Sequence, residues 1–271
     1  MRTIRIALLV IASQLSLATM MIAQDAIETD RPDQTETATT VPAGHVQIEA
    51  GFVYENDVVT PFPDFGYPYS VERTTIAMPT VLVRVGLVEG FELRLESGIE
   101  SVHDVVTTDA PDIDTTITDA VWPSIGIKSE LMQEDGFIPQ TAFIADITIP
   151  FEKESGRTAY VAPAFRFSMS HTLSDAFSLG YNFGAEWDGH TARGTGIYTL
   201  TVAVAVAETI GSYLEVFGEF AEGTTPLHSL DGGVTWQPQP NLQFDISSGV
   251  GLNDEAPDYY LSTGISIRLP D

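Results

Sequence analysis

From about residue 44 to the end, apolar and polar side chains alternate with a period of two, the mark of extended strands with one apolar face. Val46, Ile48, Ala50, Phe52 and Tyr54 fall on one side, and Gln47, Glu49, Gly51 and Glu55 on the other. The pattern returns with Phe91, Leu93 and Leu95 against Glu92, Arg94 and Glu96, then with Phe177, Leu179, Tyr181 and Phe183 against Ser178, Gly180, Asn182 and Gly184. Tyr198, Leu200, Val202 and Val204 oppose Thr199, Thr201, Ala203 and Ala205. No stretch of comparable length carries the 3.6-residue period of an amphipathic helix, so the fold is all-β.

The turns predict how the strands are joined. Tight three-residue connections fit Val88–Glu89–Gly90, Glu134–Asp135–Gly136, Ser174–Asp175–Ala176, Thr209–Ile210–Gly211 and Gln239–Pro240–Asn241. Each keeps apolar opposite apolar across its hairpin, placing Arg84 against Arg94 and Thr235 against Asp245. Between them lie longer, polar connections, over 56–70, 104–117, 151–157, 188–195, 222–227 and 253–257. Short and long links alternating along about twelve strands predict a transmembrane antiparallel up-and-down β-barrel, with tight periplasmic turns and longer outer loops. Aromatic residues near both ends of the apolar band, Phe91, Phe137, Phe177 and Trp236 at one and Tyr54, Trp187 and Tyr198 at the other, fit two interfacial girdles. A soluble secreted β-sandwich also alternates, and it is the competing architecture.

The first residues support export. Arg2 and Arg5 precede an interrupted apolar run ending near Ala23, the layout of a secretory signal over 1–23, too broken for a spanning helix. A leader over 24–43 then precedes a barrel over 44–271. Removing the signal leaves 10 basic residues of 12 against all 38 acidic ones, a formal charge of −28. So acidic a chain has no electrostatic reason to bind nucleic acid. The absence of cysteine excludes disulfides and thiolate metal sites.

Two segments carry a resemblance. ETDRPDQTETATTVPAGHVQIEAGF, from Glu28 to Phe52, and the closing stretch from Asp231 to Pro270 are similar to the two ends of the outer-membrane family named for the MetA pathway of phenol degradation. Trp122 to Leu131 and Leu173 to Gly184 fit its strand pattern. The resemblance implies a transmembrane barrel and a channel or transporter for small molecules, of an aromatic or hydrophobic class. A chain ending Arg268–Leu269–Pro270–Asp271 lacks the terminal aromatic residue that many such barrels present to their assembly machinery.

Strand parity names the residues that face the lumen. The basic ones are Arg84, Arg94, Lys128 and Arg166; the acidic ones include Glu49, Glu92, Glu96, Asp146, Glu186, Glu215, Glu219, Asp231 and Asp245. Bases sit on early strands and only acids on strands nine to eleven. That split predicts either a field across the lumen or a network of ion pairs that fills it. In the leader, Asp30, Arg31 and Asp33 are the candidates; composition reads this segment as flexible, whereas the resemblance suggests a strap in the periplasmic mouth, with Arg31 against the acidic wall. His45, His103, His171, His190 and His228 are too scattered for a metal site, and no serine–histidine pair offers a nucleophile. No cofactor, metal or catalytic residue is expected. Expected partners are outer-membrane lipid and lipopolysaccharide, which carboxylates such as Asp57, Asp64, Asp104, Asp109, Asp112 and Asp114 would bridge through divalent cations, the barrel-assembly machinery, and a small solute. A closed structural or adhesion barrel with a side-chain-filled lumen is the alternative function.

Overall fold

The computed structural model describes residues 26–59, 70–107, 111–150 and 160–270. The expected signal, the 151–157 connection, Asp64 and Asp109 lie outside the described residues. The fold is a closed barrel of twelve antiparallel strands in sequence order. They are β1 (Val46–Val59), β2 (Ser70–Val88), β3 (Phe91–Thr107), β4 (Ile113–Met132), β5 (Gln140–Thr148) and β6 (Ala162–Thr172), followed by β7 (Phe177–Trp187), β8 (Gly194–Ala207), β9 (Ile210–Ala221), β10 (Leu227–Gln239), β11 (Leu242–Gly251) and β12 (Tyr259–Leu269). The seam closes where β1 pairs with β12, from Val46 opposite Leu269 to Asn56 opposite Tyr259. Arg84 lies opposite Arg94, and Thr235 opposite Asp245, as the turn parity predicts.

The core is inverted relative to a soluble protein. Arg84 and Lys128 are wholly buried, and Gln47, Glu49, Glu92 and Glu215 nearly so, whereas Leu95, Leu200, Val202 and Ile246 are 48, 44, 43 and 62% exposed. Polar groups therefore line the inside and a continuous apolar skin faces out. In water that skin would be a single large sticky surface; in lipid it is matched to its solvent. The ring pairs the backbone groups of each strand on both sides, which a hydrocarbon layer requires. This arrangement excludes the soluble sandwich and makes the chain a transmembrane barrel.

The expected connections need correction: β4 and β5 are joined by 133–139 and not by a three-residue turn at 134–136, and β8 passes to β9 through Glu208 and Thr209 and not through 209–211. The 104–117 loop is largely strand, because β2, β3 and β4 run 19, 17 and 20 residues. Their outer halves carry polar residues on both faces, such as Glu72, Arg73 and Thr74 on β2 and Thr115 and Thr116 on β4. Solvated on both sides, they give no alternation, although their threonines favour strand. The arm also holds an exposed bidentate ion pair between Arg73 and Asp104, at 2.8 Å.

Candidate functional site

Residues 26–45 form no helix or strand, yet they are the most densely bonded part of the molecule. Their backbone and side chains bond to Gln47 and Glu49 on β1, Arg84 on β2, Glu92 and Arg94 on β3, and Lys128 and Glu130 on β4. They continue to Gln140 on β5, Arg166 and Ser168 on β6, Asn182 on β7, Thr199 on β8 and Glu215 on β9. Gln237 on β10, Gln243 and Asp245 on β11, and Ser262 on β12 complete the circuit. A segment bonded to all twelve strands of a closed ring lies inside it. Both ends of this strap sit at the tight-turn mouth: the Ile27 amide donates to the Pro240 carbonyl at 2.6 Å and the Gly44 amide to the Gly86 carbonyl at 2.8 Å. Its tip, Arg31 to Gln34, reaches up between the walls.

Asp30 is the anchor. Its carboxylate receives Arg94 at 2.6 Å, Lys128 at 2.8 Å and Arg84 at 3.3 Å, and also accepts the Thr37 amide. Its own amide donates to Glu49 at 2.9 Å. Burial alone would raise the Asp30 pKa, but the charges of Arg84, Lys128 and Arg94 outweigh it and hold this carboxyl far below the ordinary range. The cations are themselves shared. Arg84 makes a two-pronged contact with Glu92, at 2.8 and 3.1 Å, and bonds Glu49 and the Thr39 carbonyl. Glu36, from the returning limb, meets Arg94 at 2.8 Å and Arg166 at 3.6 Å. A densely paired lumen network of this kind fixes one geometry, since each missing partner strands a buried charge.

Arg31 occupies a slot made by two glycines. Gly51 and Gly264 lie opposite each other across the β1–β12 seam. A methyl group on Gly51 would fall 2.4 Å from the Arg31 guanidinium, and one on Gly264 2.5 Å from its Nε. From the slot the guanidinium reaches Asp245 at 3.2 Å and Ser262 at 2.9 Å. Gly51→Val should fold as a barrel and expel the guanidinium, weakening strap seating by about 1.5–3 kcal/mol for the lost charged hydrogen bonds. Amide exchange between residues 31 and 35 would accelerate correspondingly; unchanged protection would show that the slot is not what holds the tip.

Acids alone surround the other flank of the tip. The Gln34 amide donates to Glu215 at 2.7 Å and the Thr35 hydroxyl bonds the same carboxylate. Asp231, opposite Glu215 in register, accepts from the Tyr213 hydroxyl at 3.2 Å and from Tyr260. Asp33 forms no ion pair here. Burial, then the charges of Glu215 and Asp231, push its pKa well above the ordinary carboxylate value.

The strap divides the lumen. Above it lies a cavity of about 570 Å³, with Val53, Leu82, Phe217, Leu227 and Val250 among its apolar lining. Below it, toward the tight turns, lies another of about 560 Å³, bounded by Phe177, Ala205, Thr209 and Gln237. Arg31, Pro32 and Asp33 line both, so the strap tip is the partition. A third cavity, of about 650 Å³, opens beside the outer part of β4 near Trp122 and His190, and Glu96 lines both it and the upper one.

The lumen residues named by parity divide into two groups. Arg84, Arg94, Lys128, Arg166, Glu49, Glu92, Asp245 and Glu215 bond the strap directly, while Asp146 stands 3.8 Å from Arg94. Glu96, Glu186 and Glu219 line the upper cavity and make no ion pair among the described residues. The bases therefore face acids on the strap, not an open lumen. Glu130, inward by the same strand parity, bonds the strap at Thr40, and Glu36 is a further charge of the leader itself; the Gly51–Gly264 slot was signalled only by two inward glycines that alternation treats as gaps. No group of three or more metal-binding side chains occurs among the described residues. The histidines pair with rings and carboxylates instead, His228 with Tyr198 at 2.9 Å and His103 with Asp114 at 2.8 Å.

The family model described as "Putative MetA-pathway of phenol degradation" matches residues 29–269, strap and barrel together. The chain belongs to this family. The match opens within the strap, one residue before Asp30, so family membership covers the plug as well as the wall. Among solved structures, an outer membrane channel of Pseudomonas putida F1 aligns with a TM-score of 0.59 at 10% identity, over 89% of this chain and all of that one. The transport unit of the autotransporter AIDA-I of Escherichia coli aligns at 0.54 and 10% identity, over 96 and 97% of the two chains. At such identities they share a fold with this family member. No curated protein matches the chain.

Proposed function

We propose that this barrel passes small molecules across the outer membrane, with the strap tip as the controlling constriction. The observation that carries the reading is the pair of cavities, about 570 and 560 Å³, that share Arg31, Pro32 and Asp33 in their walls. Each is large enough for a solute of drug-like size. The aliphatic and aromatic side chains of the upper cavity, Leu82, Phe217 and Leu227 with the ring of Tyr260, suit a solute with an apolar body, and the family description points the same way. The cavity side chains provide no metal cluster among the described residues, and the reading is of a passage, not an enzyme.

The bonds from the strap to every strand favour a second reading, a permanently closed structural barrel. Liposome swelling with small sugars, and currents across planar bilayers, separate the two. The passage reading expects low but measurable flux in the native protein and a clear rise when Asp30 is replaced by Asn. Silence in both proteins, with folding verified by heat-modifiable migration, would establish the closed barrel. The carboxylates of the outer arm and loops, Asp57, Asp104, Asp112 and Asp114, are proposed to hold lipopolysaccharide through divalent cations, and β12, Tyr259–Leu269, is proposed as the strand read by the assembly machinery.

A further inference from the structure

We infer that the passage selects for positive charge: among the small solutes of the preceding section it admits cations and amine-bearing molecules and turns anions away. The inference rests on that reading and assigns Glu186 and Glu219 as the residues that set the preference.

The argument is an inventory of which lumen charges are already spent. Every basic side chain around the constriction has an acidic partner or a strap carbonyl: Arg31 on Asp245, Arg94 on Asp30 and Glu36, Lys128 on Asp30, Arg166 on Glu36 and the Gln34 carbonyl, and Arg84 on Glu92 and Glu49. Beyond Asp30, Glu36 and Glu49, which those bases already hold, four acids of the upper cavity have no such partner among the described residues. Glu55, Glu96, Glu186 and Glu219 all line it, and none makes a hydrogen bond or ion pair with its side chain among the described residues. Glu186 on β7 and Glu219 on β9 flank β8, facing the same space two residues apart in register.

A second, independent feature lies at the constriction itself. Asp231 is only 3% exposed, and its Oδ1 has no hydrogen-bond donor, although Oδ2 holds two tyrosine hydroxyls. The Glu215 carboxyl stands within hydrogen-bond reach of Asp231, and a buried pair of carboxyls calls for a shared proton or a positively charged group beside it. Asp33, which faces both cavities, lies within electrostatic reach of Asp231 and Glu215. A solute descending from the upper cavity thus meets unpaired carboxylates first, then Asp33 beside that pair of carboxyls. Low-dielectric walls concentrate such a field and enrich counter-charges by about tenfold or more. The aromatic faces of Phe217 and Tyr260 in the same cavity add a surface that attracts cations.

Reversal potentials across a planar bilayer with a potassium chloride gradient test the inference, paired with liposome uptake of benzylammonium, benzoate and phenol. The expected result is about a tenfold preference for potassium over chloride, and uptake in the order benzylammonium, phenol, benzoate. Glu186→Gln with Glu219→Gln should collapse both preferences several-fold while preserving current; these side chains make no hydrogen bond or ion pair among the described residues, and Gln keeps their shape. Glu89→Gln, the same kind of substitution in an exposed turn outside the lumen, should leave both unchanged. Current without ionic preference, or preference for chloride, would overturn the selectivity and leave the passage reading standing. No current in any variant would overturn both.

Discussion

Asp30→Asn will open the barrel. The substitution keeps the shape of the side chain and removes the one charge on which Arg84, Arg94 and Lys128 converge. Those cations are nearly or wholly buried, so an uncompensated positive charge remains beside the seated strap. Removing one partner of a buried ion pair costs about 3–5 kcal/mol. Glu92 and Glu49 on the wall stay in place and hold Arg84 and Arg94, so the loss falls chiefly on strap seating. The population of unseated strap should rise by about a hundredfold or more, at tenfold per 1.36 kcal/mol. The chain contains no cysteine, so Thr37→Cys supplies a unique thiol on the returning limb. In the parent this thiol should react slowly with a membrane-impermeant maleimide; with Asp30→Asn it should react at least about a hundredfold faster. Asp30→Glu should restore part of the protection. Equal labelling rates in a barrel shown to be folded would refute the anchor.

Seating of the strap should also weaken as pH rises. Asp33 has a raised pKa when seated and an ordinary one when the strap is free, so the seated state binds the extra proton. Seating is therefore favoured at and below the ordinary carboxylate value and is lost progressively as pH climbs toward the raised one. The slope is up to about tenfold per pH unit for a single proton, moderated because Asp33 borders two cavities and is partly screened. Asp30 has the opposite sign: its pKa is depressed, so its contribution is intact above the ordinary value and disappears only in strong acid. Between mildly acidic and mildly alkaline pH the anchor is constant and only the tip loosens. Conductance should increase from pH 5 to pH 9, and Asp33→Asn should flatten the curve near its low-pH level. A profile indifferent to Asp33→Asn would assign the titration to the facing acids Glu215 and Asp231 instead.

The wall of this protein is legible in its sequence; the plug is much less so. Alternation reports which face of a strand meets lipid, because lipid tolerates no polar residue, and hairpin parity carries that assignment from strand to strand. Arg84 opposite Arg94 follows from such counting alone. Counting fails where both faces are wet, as in the outer arm of β2, β3 and β4. It fails more completely in the strap, whose conformation is set by partners up to 231 residues away, and no local propensity records them. Asp30, Arg31 and Asp33 stand out as charges in a polar run, but their sorting toward a basic wall, a glycine slot and an acidic wall requires the ring to be closed. Gly51 and Gly264 show the difficulty: each weakens a strand when read alone, and together they admit a guanidinium.

The strap also has a consequence for biogenesis. Its bonds reach every strand, across separations from 19 to 231 residues, so no partly built sheet can satisfy it. Asp30 is fully neutralised only when β2, β3 and β4 stand in register, and Arg31 only once the first and last strands have met. Docking is thus the last event of maturation and works as a molecular checksum. A barrel that has slipped by one register or left its seam ajar keeps an unseated tail at the tight-turn mouth, and a protease on that side of the membrane can tell the unfinished barrel from the finished one by the tail alone.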